Sequence, residues 1–365
     1  MSLSISDKLT LASQALGKSV VSINPRACEE SKTKTAGYLT FGLKNTTDLS
    51  NSLLERLRAS PDCLLLTVDH MSDLGRSVDT ELVNPLTYQP MTGSTSGGAI
   101  NVLRGINDFC IGTDGGGSVL APALATNLWA FMGKGLGLIA GSGVSTDGLS
   151  FQTGIGFIGN SLEVVVRATS IASSDSTFGH MQAEVDLVDV VVPSAGSAVL
   201  PGGGDMHNAL LPFLGGLDPN RFHVQEIDFW DIYNREACVE KLRRIWEANP
   251  STCVLTLEGP IDVYGADETI PRSFAGAASS YVAGVHSKGQ VKAVNIAGGS
   301  AFCVPFGELA TGLVISCGPG RAPAEVALRL ASELDRTVAR ERPLPEMFHR
   351  YFLDRCKASR PLNLF

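Results

Sequence analysis

What this sequence lacks narrows it first. No two of its eight cysteines form a C-x-x-C pair, and its six histidines are scattered, with no H-x-H or H-E-x-x-H. That spacing offers neither a zinc framework nor a disulfide pattern. Thiols inside apolar runs, such as Cys63 in DCLLL and Cys317 in LVISC, read as buried and reduced. No run of Lys and Arg occurs and the formal net charge is −8, which removes the basic footprint that a nucleic-acid partner needs. No stretch approaches the roughly 18 apolar residues of a membrane span. The opening MSLSISDKLTLASQALG lacks the charged region and long apolar core of a signal peptide. The expectation is a cytoplasmic chain with no metal, no cofactor, no nucleic-acid partner and no membrane partner.

What is present is a large core. Of 365 residues, 44% are hydrophobic and only 18% charged, enough apolar surface to bury several layers. Short apolar runs read as strands: SVVSI, CLLLTV, DFCIGT, LGLIAG, VDVVVP, TCVLTL and TGLVISCG. Between them TDLSNSLLERLRAS, REACVEKLRRIWEAN and APAEVALRLASELDRTVARE repeat apolar residues at helical spacing, the first with a capping signal at Thr47 and Ser50. Alternating buried strands and amphipathic helices predict an α/β fold, a mixed twisted sheet covered on both faces by helices. No internal repeat breaks the chain. The Gly/Pro-rich stretch from Val191 to Asp205 reads as a long loop and not a linker, so residues 1–365 are expected to form one domain. The strand–glycine–helix corner CGPGRAPAEVALRLA lacks the third glycine and the lysine of a phosphate cradle.

The stretch from Gly93 to Val119, GSTSGGAINVLRGINDFCIGTDGGGSV, places hydroxyl-and-glycine loops on either side of a piece of core. In the second loop, three glycines turn a strand, DFCIG, into the apolar run VLAPALATNLWAFMG, which reads as helical. Glycine lets backbone N–H groups approach a ligand closely. A row of such donors is suited to holding an oxyanion, and Ser118 directly after it is placed as a nucleophile. The bland alternative is that both loops are simply tight turns.

GSTSGG followed by GTDGGGSVLAPA resembles the amidase signature family, whose usual form is GGSSGG and then G-T/S-D-x-G-G-S-I-R-x-P-A. CLLLTVDHMSDLG and NIAGGSAFCVPFGELATGLVISCGPGRAPAEVALRLASELD extend the likeness, which is clear from Thr35 to Gly137 and from Val294 to Asp335. The resemblance implies a serine nucleophile, a second serine in an unusual cis peptide, and a lysine base acting through that second serine. Carried over, the nucleophile is Ser118, and Gly115, Gly116, Gly117 and Ser118 itself supply the oxyanion N–H groups. Aligned on Gly97 and Gly98, the bridging hydroxyl is Thr95, with Ser96 beside it and Ser94 as the alternative if a gap moves. Asp114 is expected to hold the loop.

Two positions depart from the pattern. Counting back from Thr35 in TKTAG puts Asn24 at the family's lysine, and a neutral amide cannot act as a general base. Leu120 replaces the arginine that usually follows the nucleophile. Lys32 and Lys34 read as solvated loop residues. His70 is the candidate replacement base, since its unperturbed pKa suits neutral pH, although adjacent Asp69 would point to the other face of a strand. The expected function is therefore acyl transfer from a small-molecule amide or ester: hydrolysis, amide formation or cyclisation, through Ser118 with an altered base. The alternative is a catalytically inactive binding, scaffold or regulatory protein with a degenerate triad. A homodimer is compatible with either.

Overall fold

The computed structural model describes residues 3–144, 148–175, 177–179, 187–261, 287–338 and 351. Cys356, among the cysteines weighed above, lies outside them. Fourteen strands are described: β1 (Val20–Ile23), β2 (Leu39–Lys44), β3 (Cys63–Asp69), β4 (Val78–Val83), β5 (Pro90–Thr92), β6 (Phe109–Asp114), β7 (Trp129–Met132), β8 (Ile139–Val144), β9 (Ser150–Gly159), β10 (Val188–Pro193), β11 (Phe222–Ile227), β12 (Cys253–Glu258), β13 (Ser300–Pro305) and β14 (Gly312–Cys317). Twelve of them form one mixed sheet in the order β1-β3-β2-β6-β9-β7-β13-β14-β12-β10-β11, with β8 paired to β9; β4 and β5 form a separate hairpin.

Every residue of β6, β12, β13 and β14 is buried. This is why these segments read as unbroken apolar runs and not as alternating ones: helices cover the sheet on both faces. Phe41 stacks on Phe109 across neighbouring strands at 5.4 Å, and Phe131 meets Phe302 at 4.4 Å. The expected helices are found at Asn51–Ala59, Arg235–Ala248 and Arg321–Val338. Ser50, and not Thr47, caps the first, its Oγ accepting the Leu53 N–H at 3.4 Å.

One element expectation is corrected. The apolar run after Ser118 is not one helix: Leu120–Ala125 is helical and Trp129–Met132 is strand β7. Asn127, at φ +49°, ends the helix, and its amide donates to the Glu308 carbonyl at 2.7 Å. The next residues then pair between β9 and β13, where packing outweighs helical propensity. The Val191–Asp205 stretch starts inside β10, which lies between β11 and β12, and ends at Asp205, the N-cap of the helix Met206–Leu214.

β2 and β6 are parallel neighbours, with Leu43 opposite Ile111. Their carboxyl ends therefore share one edge of the sheet, the edge at which open α/β sheets bind ligands. The helix Ser96–Leu103 packs against β6 from the loop that precedes it. A Cβ on Gly97 would stand 2.6 Å from the Ser19 carbonyl, and one on Gly98 2.7 Å from Cys110 Sγ. The paired glycines thus let this helix lie directly on the sheet.

Candidate active site

Lys44 is the last residue of β2 and is 4% exposed. Its Nζ donates to Ser94 Oγ at 2.6 Å, to Thr113 Oγ1 at 2.8 Å and to the Thr113 carbonyl at 3.3 Å. Burial, opposed by the negative charges of Asp114 and Asp48, pulls its pKa down to about 8. Desolvation disfavours the charged amine, so a substantial neutral fraction exists near physiological pH.

The loop Gly93–Gly98 presents its three hydroxyls to three different places. Ser94 faces Lys44. Thr95 turns inward: its side chain stands over Gly112, where an added Cβ would lie 2.3 Å from Thr95 Oγ1. That hydroxyl is buried and makes no hydrogen bond among the described residues. Ser96 donates to Asp79 Oδ2 at 2.5 Å. The hydroxyl in contact with the lysine is thus Ser94, the alternative in the sequence alignment, and not Thr95. The Ser94–Thr95 peptide is trans; the cis peptide among the described residues joins Gly259 and Pro260.

The second loop runs from Asp114 to the helix Leu120–Ala125. Asp114, at the end of β6, is fully buried, and its carboxylate accepts N–H groups from Gly117 at 2.7 Å, Val119 at 2.7 Å and Leu120 at 3.3 Å. This closes the loop into a compact turn, with Gly117 at φ +101°, a conformation that favours glycine. The Gly117 N–H is thereby committed to Asp114. The N–H groups of Gly115, Gly116 and Ser118 make no hydrogen bond among the described residues. Asn295 braces the turn from outside, its Nδ2 donating to the Gly115 carbonyl at 2.9 Å. Ser118 is half-buried, and its carbonyl accepts the Thr95 N–H at 3.2 Å, tying the two glycine loops together. Its hydroxyl is not hydrogen-bonded to Ser94 or Lys44.

Other predicted residues lie apart. Asn24 follows edge strand β1; its Nδ2 donates to Glu30 Oε2 at 2.9 Å and to the Leu65 carbonyl at 2.8 Å. It braces a surface turn and does not occupy the position of a base. His70 lines a separate cavity of about 340 Å3 with Lys18, Glu81 and Arg104, its Nε2 3.1 Å from Asp79 Oδ2. Asp69 does not orient it: that carboxyl accepts from Thr67 Oγ1 at 2.6 Å and Asn101 Nδ2 at 2.7 Å. Lys32 is exposed, and Lys34 donates to the carbonyls of Arg58 and Ser60. Leu120 is fully buried.

Lys44 is the residue that sequence reasoning missed. The signal was there: LTFGLKN is a short apolar run ending in lysine, just as VVSINP is one ending near Asn24. Counting from the loop segment TKTAG fastened the pattern to β1, at the sheet edge. The strand that lies parallel beside β6 is β2.

No protein-family model and no curated protein matches the chain. Solved structures do. A 6-aminohexanoate cyclic dimer hydrolase matches with a TM-score of 0.65 at 14% identity, over 94% of this chain and 96% of that one. A serine-to-alanine variant of Kluyveromyces lactis allophanate hydrolase matches with a TM-score of 0.62 at 13% identity, over 92% of this chain and 70% of that one. The peptide amidase of Stenotrophomonas maltophilia matches with a TM-score of 0.59 at 14% identity, over 93% and 94%. The large mixed sheet flanked by helices is the fold of these hydrolases. Among the described residues no helix is long and apolar enough to cross a membrane, and no cluster of His, Cys, Asp and Glu could hold a metal ion.

Proposed function

We propose that the chain transfers the acyl group of an amide or ester to its own Ser118 and then to water or another acceptor. Lys44 is the general base in this reading. Its neutral amine takes the Ser94 proton while Ser94 takes the proton of Ser118. The freed Ser118 oxygen bonds to the substrate carbonyl carbon, and the carbonyl π pair moves onto oxygen. The N–H groups of Gly115, Gly116 and Ser118 are the donors available to that oxyanion. Collapse of the intermediate expels the amine or alcohol, which takes the proton back along the same path. An incoming nucleophile then reverses the sequence and frees Ser118.

The observation that carries this reading is the 2.6 Å contact between the buried Lys44 Nζ and Ser94 Oγ, at an amine whose pKa suits a base at neutral pH. Ser94 and Ser118 lie in the two loops that the Thr95 N–H to Ser118 carbonyl bond ties together, and catalytic hydrogen bonds often tighten only when substrate binds. The neighbouring folds, whose names describe amide hydrolases, support the reaction class. The competing reading, an inactive binding, scaffold or regulatory protein, rests on an apparently missing lysine, on Thr95 at the bridging position and on a shortened chain; the buried Lys44 beside Ser94 supports the enzyme reading against the first of these. Ser118→Ala tests the proposal on a panel of p-nitrophenyl esters and p-nitroanilides. Turnover is expected to vanish while the circular dichroism spectrum is retained. Undiminished turnover in the variant would overturn the assignment of the nucleophile.

A further inference from the structure

The peptide joining Gly115 and Gly116 lies in the loop whose N–H groups are open to an oxyanion, and its own residues do little to orient it. Glycine on both sides, with no Cβ, lets a peptide plane turn over at little cost. Asp114 fixes the loop further on, at the N–H groups of Gly117, Val119 and Leu120. The one hydrogen bond on the Gly115–Gly116 peptide among the described residues comes from Asn295, whose Nδ2 donates to the Gly115 carbonyl at 2.9 Å.

Asn295 is itself firmly held. It is buried, and its side chain is fastened to β9: Nδ2 also donates to the Gln152 carbonyl at 3.1 Å, and Oδ1 accepts the Gly154 N–H at 3.0 Å. Two carbonyls and one N–H around a single amide settle which of its atoms is nitrogen and which oxygen, and they use both of its hydrogens. Lys134 Nζ donates to the Asn295 backbone carbonyl at 2.8 Å. The Gly115–Gly116 peptide is trans, so its C=O and N–H point opposite ways in one plane. Drawing the carbonyl toward Asn295 aims the Gly116 N–H away from it. A hydrogen bond accepted at the oxygen also polarises that N–H as a donor.

We propose that Asn295 is a positioning residue of this site: by holding the Gly115 carbonyl, it orients the Gly116 N–H that receives the developing oxyanion. The inference rests on the function proposed above, in which that N–H is one of the oxyanion donors.

The test uses p-nitrophenyl butyrate and its thiono counterpart, in which sulfur replaces the carbonyl oxygen. Sulfur accepts hydrogen bonds weakly, so a misaimed oxyanion donor weighs mainly on the oxygen ester. Asn295→Leu keeps the shape without the amide, and Asn295→Ala removes the group. Each is expected to lower kcat on the oxygen ester by about tenfold to a hundredfold at nearly constant KM, somewhat less than the loss of a whole donor. The thiono ester is expected to lose much less, so the oxygen-to-sulfur rate ratio falls. Equal losses on both esters, or an unchanged kcat on the oxygen ester, would overturn the inference and leave the proposed function standing, provided Ser118→Ala still abolishes turnover. Loss of the native circular dichroism spectrum in both variants would make Asn295 a structural residue and overturn it in the same way. Where the thiono ester is too slow to follow, the oxygen ester decides alone: kcat lowered at constant KM supports the inference, and any other pattern overturns it. Turnover of neither ester by the wild type, or undiminished turnover in Ser118→Ala, would bring down the proposed function and the inference with it.

Discussion

A lysine kept 4% exposed at a strand end carries an energetic cost that can be measured. Its pKa falls from 10.5 to about 8. At about 1.36 kcal/mol per pKa unit, the folded state disfavours the protonated amine by about 3 kcal/mol. The unfolded chain holds this proton up to pH 10.5, whereas the folded chain releases it near pH 8. Between those values the unfolded state binds more protons, so stability rises with pH. Below about 8 both states are protonated and the wild type bears the whole penalty. Lys44→Met removes the titrating group while keeping a flexible chain of similar length. At pH 7 relief of that penalty is set against the loss of an amine partner for Ser94 and Thr113, about 1–3 kcal/mol, so the net change is small. The sharper quantity is the difference between wild type and Lys44→Met in urea unfolding free energy. From pH 7 to pH 10.5 it should move by about 3 kcal/mol in favour of the wild type. A difference that stays constant across this range would refute the argument that burial depresses Lys44.

Two further outcomes follow from the same geometry. The kcat/KM for a neutral ester should rise with pH through about 8, as Lys44 loses its proton; a profile flat from pH 6 to 9 would count against a lysine base. Asn24→Ala should cost about 1 kcal/mol through its lost hydrogen bonds to Glu30 and the Leu65 carbonyl while leaving the kcat for that ester within twofold, as measured by thermal unfolding and steady-state kinetics.

Much of this architecture was legible in the residues. Strands such as DFCIGT and TGLVISCG are buried on both faces and announce themselves as unbroken apolar runs. The glycine loops stood out as a Ser/Thr-Gly cluster and a triple glycine ending in serine, and in the fold Gly97, Gly98 and Gly112 each leave no room for a Cβ. What was not legible depends on which strands become neighbours. Lys44 and Asn24 both end short apolar runs, and only the placement of β2 between β3 and β6 brings Lys44 to Ser94. Thr95 and Ser94 differ by one position, and contact of the Thr95 side chain with Gly112 decides which hydroxyl reaches the amine.

The central claim is that Lys44, through Ser94, activates Ser118. The most direct measurement is the rate at which a fluorophosphonate labels the protein, with the modified peptide identified by mass spectrometry. The account predicts labelling of the wild type at Ser118, none in Ser118→Ala, and rates lowered by a factor of about 10²–10⁴ in Lys44→Ala, with Ser94→Ala also slowed. Labelling of Lys44→Ala at the wild-type rate, or modification of a residue other than Ser118, would contradict it.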